Sequence, residues 1–302
     1  MSTVGHFRSD AGHDHFVTTY RAAMARLPPY DESFDVPTLF GRVRVYRFAG
    51  GPGRPVVLLP GRNASTPMWG ANLPGLLAHR PVYSVDLLGE PGMSVQQRPI
   101  SGSEDQASWF DELLTGMGLT CPHLMGVSFG AWSATNHAVH GHGGVASLTL
   151  LDPAMTFAPI PIRTMLAVIP MGLSGAPEFL RKQVLKWISG GVDLDDSVAV
   201  AALIAAGARD FVLRQPLPTR FTADQLKALD VPVLALIAGR SVIHDGRRAA
   251  ESAAKLLPRA EVELWPHASH AISGEYADEI GERAHRFWKR IDSETAGRTA
   301  FS

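Results

Sequence analysis

The amino-acid sequence predicts an α/β protein: a mainly parallel sheet, helices on both faces, and a helical insertion past its middle. Three observations carry this expectation. Short apolar runs alternate with helical patterns between residues 55 and 151 and again between 231 and 291; strands separated by helices pair in parallel and are buried on both faces. The rhythm stops between residues 153 and 229, where helical patterns are punctuated by proline and no strand is clear. Between the apolar run 124–127 and a segment rich in helix formers sits Gly126-Val127-Ser128-Phe129-Gly130. A strand that turns so sharply into a helix strains its central residue and projects that side chain clear of the backbone. Glycine is needed where a Cβ would collide with the neighbouring strand or helix. Ser128 then stands at a helix N-terminus, where the dipole and free N–H groups favour developing negative charge. The bare Gly-x-Ser-x-Gly pattern is a weak signal, and its strand-turn-helix setting makes it specific.

The elements follow in order. Residues 1–14 read as a tail and 16–27 as an amphipathic helix ended by Pro28-Pro29. Residues 34–39 and 43–48 alternate as strands around a turn at Phe40-Gly41-Arg42. Residues 55–59 form a buried strand, 69–78 a helix despite Pro74 and Gly75, and 82–86 a strand. Residues 104–117 form a helix with Ser103 as N-cap and Trp109, Leu113, Leu114 and Met117 on its apolar side. Then come the strand at Leu124, the helix after Ser128 and a strand at 145–151. In the insertion, residues 162–169, 177–189 and 197–208 are helical. Its Met155, Phe157, Met165, Leu166, Ile169 and Met171 either line an apolar substrate pocket or hold the insertion together, the second being the more ordinary use. Strand 233–238, helix 246–257 capped by Asp245, strand 262–265 and helix 275–291 complete the pattern. The expected organisation is a tail and helix at 1–29, a core at 30–152 and 230–291, a helical cap at 153–229, and a C-terminal tail at 292–302.

Composition excludes several function classes. With 302 residues, 45% of them hydrophobic, the chain can bury one large core. Its 28 basic and 29 acidic residues leave no basic surface for nucleic acid. The one cysteine, Cys121, precludes an internal disulfide, fits a reducing cytoplasm, and reads as a small, partly buried residue. Residues 1–14 lack a signal-peptide pattern, and no apolar run, the longest being 198–206, reaches the ~20 residues of a membrane span. His13 and His15 in a polar tail, and His137, His140 and His142 at a helix end, read as exposed rather than metal-binding. Neither metal nor organic cofactor is expected.

Over residues 30 to 291 the chain resembles α/β-hydrolase-fold enzymes. The likeness rests on Leu58-Leu59-Pro60-Gly61-Arg62, Val85-Asp86-Leu87-Leu88-Gly89, Gly126-Val127-Ser128-Phe129-Gly130, Leu150-Leu151-Asp152-Pro153-Ala154, the insertion after that strand, and Ala268-Ser269-His270. The helix running into Pro28-Pro29-Tyr30 is similar to a bacterial carboxylesterase-like branch. The resemblance implies Ser128 as nucleophile, activated by a base that accepts its proton. His270, on the loop after the last strand, is preferred to His267, which lies closer to the strand end. It also implies backbone N–H donors to the oxyanion from Phe129 and Arg62. The Arg62 side chain either binds a substrate carboxylate or is solvated, and solvation is the expectation. Three positions past Gly239, where the orienting acid usually stands, is Val242, which cannot hold an imidazole. Asp152 is the favoured replacement, Asp245 the alternative with helix capping as its ordinary role, and absence of any acid the third possibility. The implied activity is a serine hydrolase cleaving an ester or thioester of a medium, largely apolar small molecule through an acyl-enzyme. Serine at position 128 argues against dehalogenase and epoxide-hydrolase relatives, which carry aspartate there. A ligand-binding or signalling protein, or a non-hydrolytic cyclase or lyase, is the alternative on the same fold.

Overall fold

The structure, a computed structural model, describes residues 3–172, 176–191 and 199–299. Its sheet has eight principal strands: β1 (Glu32–Thr38), β2 (Gly41–Phe48), β3 (Val56–Leu59), β4 (Val82–Val85), β5 (His123–Val127), β6 (Ser147–Leu151), β7 (Val233–Ala238) and β8 (Ala260–Trp265). Their spatial order is β1-β2-β4-β3-β5-β6-β7-β8, and the two-residue strand Val95–Gln96 adds to β2. β1, β2 and β4 pair antiparallel, while β4-β3-β5-β6-β7-β8 is parallel throughout.

The parallel strands β3, β5, β6 and β7 are buried at every position, because helices cover both faces. Alternate residues serve opposite layers. Val57, Leu59, Leu124, Leu148 and Ile237 pack beneath α3 (Ser103–Gly116), α4 (Phe129–His140) and α10 (Gly246–Leu256). Val56, Leu58, Met125, Leu234 and Leu236 face α1 (Asp10–Met24), α2 (Leu73–Leu77) and α12 (Ala277–Thr299). Between β6 and β7 lie α5 (Ile162–Ala167), α6 (Ile169–Gly172), α7 (Glu178–Ile188), α8 (Ala199–Asp210) and α9 (Ala223–Lys227); α11 (Ile272–Glu275) precedes α12.

The structure departs from the sequence reading at both ends. The N-terminal segment is not a tail through residue 14. Ser9 caps α1 by accepting the Gly12 N–H at 3.1 Å, and His6–Phe7 pairs antiparallel with Phe211–Val212. The Phe7 ring packs on Phe16 and Phe211, with centroids 5.2 and 5.1 Å away. Two residues of strand are too few to leave a period, so both partners escaped detection. The C-terminal segment is helical through Thr299, because Phe287, Trp288 and Ile291 are buried and Asp292 pairs with Arg54 at 2.9 Å.

Smaller shifts have local causes. Gly102, not Ser103, caps α3, and the Ser103 hydroxyl lies 3.0 Å from that of Thr219. The helix expected at 69–78 divides into a 3₁₀ turn, Thr66–Trp69, and α2, with Pro74 in its first turn. Of the helix expected at 197–208, residues 197 and 198 lie outside the described residues, and α8 extends to Asp210.

Trp288 joins α12 to the sheet: its indole N–H donates to Thr149 Oγ1 at 3.0 Å, and Arg80 lies 4.8 Å over its ring. Trp288→Ala should cost about 3–5 kcal/mol of stability in urea unfolding, as for a buried aromatic. A change below about 1 kcal/mol would return this segment to the periphery.

Candidate active site

Ser128 joins β5 to α4 with φ 54° and ψ −114°, a strained conformation for a residue with a Cβ. Hydrogen bonds hold it there. Its N–H donates to the Leu151 carbonyl at 3.0 Å, and its carbonyl accepts from Trp132 and Ala154 N–H at 3.1 and 3.3 Å. The flanking glycines are sterically required. A Cβ on Gly126 would lie 2.4 Å from the Gly130 carbonyl carbon, and one on Gly130 would lie 2.0 Å from the Leu59 oxygen. The turn is tight because two strands and a helix converge on it.

His270 reaches the serine from the far end of the chain. Its Nε2 is 3.0 Å from Ser128 Oγ and its Nδ1 is 2.6 Å from Asp152 Oδ2. These partners assign the tautomer: Nδ1–H donates to the carboxylate and Nε2 accepts the hydroxyl proton. The loop bearing His270 is fixed by Glu275, which accepts from the Ser269 N–H at 2.8 Å and the Ser269 hydroxyl at 2.5 Å. His267 is exposed and makes no such approach.

Asp152 follows β6 with φ 42° and is fully buried. Its Oδ1 accepts the Ala238 N–H at 3.0 Å, and its Oδ2 accepts the Ser241 hydroxyl at 2.7 Å. His244, also buried, brings Nε2 to 2.9 Å from Oδ1, close but off the axis of a hydrogen bond. Burial alone would raise the Asp152 pKa, but the His244 and His270 imidazoles outweigh it and hold the carboxyl below the usual carboxylate range. Asp245 is engaged elsewhere: exposed, it caps α10 by accepting the Arg248 N–H at 3.1 Å. The structure therefore brings Ser128, His270 and Asp152 together and leaves Asp245 out.

Phe129 is the first residue of α4, and Arg62 follows β3 on a loop beside the serine; a Cβ on Gly61 would lie 3.6 Å from Ser128 Cβ. The Arg62 side chain is only partly exposed, where the sequence reading expected it to be solvated. Its Nε donates to Glu90 Oε1 at 3.2 Å, and its guanidinium stacks 4.9 Å over the Phe129 ring. Glu90 is fully buried and also accepts the Asn63 N–H at 2.9 Å, which ties down this loop. Burial raises the Glu90 pKa, opposed by Arg62 and the Asn63 N–H. Sequence reasoning missed Ser241, His244, Glu275 and Glu90. The first two lie in the segment after β7, and neither is the carboxylate that the family's acid position calls for.

Of the other histidines, His13, His15 and His142 are exposed, as expected, and His137 is not. His137 is buried, not exposed, because α3 carries Asp111 to within 3.3 Å of its Nδ1; burial lowers its pKa. His15 Nδ1 lies 2.6 Å from Asp210. Among the described residues no group of three His, Cys, Asp or Glu side chains is placed to hold a metal, and no helix is long and apolar enough to cross a membrane.

A model of the Alpha/beta hydrolase family matches residues 56–283. The chain belongs to this family. Among curated α/β hydrolases it is 27% identical over 281 residues to the uncharacterized carboxylesterase nap of Bacillus subtilis, covering 90% of this chain and 92% of that one. It is 27% identical over 282 residues to carboxylesterase YbfK of the same organism, covering 90% and 93%. The crystal structure of naproxen esterase (carboxylesterase NP) from Bacillus subtilis superposes with a TM-score of 0.84 at 26% identity, over 93% of this chain and 99% of that one. The protein is thus a carboxylesterase-like hydrolase of the α/β-hydrolase family.

A carboxyl held low in the folded state stabilises the fold above the ordinary carboxylate pKa, and that contribution fades as pH falls towards the folded value. The stability gap between the wild type and Asp152→Asn should therefore be largest near neutrality and shrink below about pH 4. Urea unfolding of both proteins across that range measures it, and a gap independent of pH would contradict the assignment of a depressed pKa.

Proposed function

We propose that the chain is a serine carboxylesterase that cleaves an ester or thioester of a medium, largely apolar molecule through an acyl-enzyme. The observation that carries this reading is the continuous relay of Ser128 Oγ, His270 and Asp152 at 3.0 and 2.6 Å. Ser128 attacks the carbonyl carbon while His270 Nε2 takes its proton. Asp152 keeps the imidazole oriented and offsets the positive charge that forms on it. The Phe129 and Arg62 N–H groups receive the oxyanion, an interaction stronger in the transition state than in the substrate. His270 returns its proton to the leaving alcohol or thiol, and water then resolves the acyl-enzyme by the same path. No metal or organic cofactor enters these steps.

The described residues between 153 and 229 act as a cap over this site. In support, the Thr164 hydroxyl donates to the Val242 carbonyl at 2.5 Å, and Arg240 Nη2 donates to the Gly190 carbonyl at 3.2 Å. Exposed Ile162, Met165, Leu166 and Ile169 give this region apolar surface for an acyl chain. The carboxylesterase relatives favour an ester substrate. Val242 at the usual acid position would favour a binding protein without turnover, and Asp152 beside His270 removes that ground.

A fluorophosphonate probe should label the wild type rapidly and leave Ser128→Ala and His270→Ala unlabelled. Asp152→Asn should lower kcat on a p-nitrophenyl ester by about 10⁴, the penalty of a mis-set tautomer. Asp245→Asn should change kcat less than about threefold, because an asparagine oxygen caps a helix as well as a carboxylate does. Activity across p-nitrophenyl esters and acyl-thioesters of graded length should peak at medium chains. Well-folded protein that resists labelling would turn the reading to a receptor.

A further inference from the structure

The segment after β7 supplies no acid, yet it converges on one. Residues 239–245 return tightly to the strand end: a Cβ on Gly246 would lie 2.5 Å from the Ala238 carbonyl oxygen, and one on Gly239 would lie 2.7 Å from Pro266 Cα. From this fixed loop Ser241 donates to Asp152 Oδ2 at 2.7 Å, and His244 places Nε2 2.9 Å from Oδ1. Both His244 and Asp152 side chains are wholly buried. A titratable ring sealed against a buried carboxylate is not explained by packing alone, since an apolar side chain would fill the space without a buried polar atom.

We propose that His244 is a positioning residue, a neutral imidazole whose Nε2–H is the further donor that holds Asp152 in register with His270. The tautomer follows from its surroundings. His244 Nδ1 has no hydrogen-bond partner and is buried. With the proton on Nε2, the orphan is a bare lone pair facing apolar surroundings. With a proton on Nδ1, it would be an unpaired N–H, and in the imidazolium an unpaired charged N–H, which is far costlier. His244 touches neither substrate nor serine. It acts through Asp152, whose two oxygens then carry four donors: the Ala238 N–H and His244 on Oδ1, and Ser241 and His270 on Oδ2.

This inference rests on the serine-esterase reading, and the experiment separates the two. Four proteins are compared in stopped-flow acylation by p-nitrophenyl butyrate: wild type, His244→Leu, His244→Gln and Asp152→Asn. The Gln amide can place an N–H where Nε2 stands, and Leu cannot. His244→Leu should lower kcat about 10- to 100-fold with KM unchanged, the loss expected for a hydrogen bond to a charged group. His244→Gln should recover to within about fivefold of wild type if the donor is what matters. Equal loss in Leu and Gln, or a kcat unchanged in Leu while its melting temperature falls, would reduce His244 to a packing residue and overturn the proposal. If Asp152→Asn itself is not slowed, the triad reading fails first. Should His244→Leu not fold, ¹⁵N NMR of histidine-labelled wild type decides. A neutral Nε2–H ring at the assay pH, absent from the His244→Gln spectrum, supports the proposal, and an Nδ1–H or imidazolium ring there overturns it.

Discussion

The carboxylate of Asp152, sealed inside the protein at the end of β6, is the constraint on which the site depends. A buried charge is tolerated only if its surroundings offer donors. Here they come from two separated stretches of chain: the end of β7 and the loop that follows it, which supply Ala238, Ser241 and His244, and His270 past β8. Satisfying that one group fixes how the C-terminal edges of β6, β7 and β8 stand relative to one another. The imidazole delivered to Ser128 is a consequence of the same requirement.

A second buried carboxyl group organises the other side of the serine. Glu90 gathers the Arg62 guanidinium and the Asn63 N–H, and so sets the course of the loop whose backbone faces the site. Asp86 anchors the same loop further along, accepting the Thr66 and Met93 N–H groups and the Tyr20 hydroxyl at 2.9, 2.8 and 2.9 Å. Through Tyr20 the N-terminal helix becomes part of this support, which explains why α1 is pinned down at both ends rather than trailing. The elbow is rigid for steric reasons, and the loops around it are rigid for electrostatic ones.

Much of this was legible in the sequence, for identifiable reasons. Fully buried parallel strands leave unbroken apolar runs, and the Gly126 and Gly130 pattern survives because any Cβ there collides with backbone. Asp152 could be favoured over Asp245 but not assigned, since the assignment depends on which loop folds back over β7. The donors Ser241 and His244 left no periodic trace, because a hydrogen-bond partner need only be near in space. The ends were misread for a related reason. The pairing of His6–Phe7 with Phe211–Val212 joins segments some two hundred residues apart, and the burial of Trp288 depends on Thr149 and Arg80.

Asp152, and no other carboxylate, holds the Nδ1–H of His270. Proton NMR of the enzyme phosphonylated at Ser128 reads this directly, through the far-downfield resonance of an imidazolium Nδ1–H held by a carboxylate. That resonance should be present in the wild type and in Asp245→Asn and lost in Asp152→Asn. Its persistence in Asp152→Asn, or its disappearance in Asp245→Asn, would contradict the account.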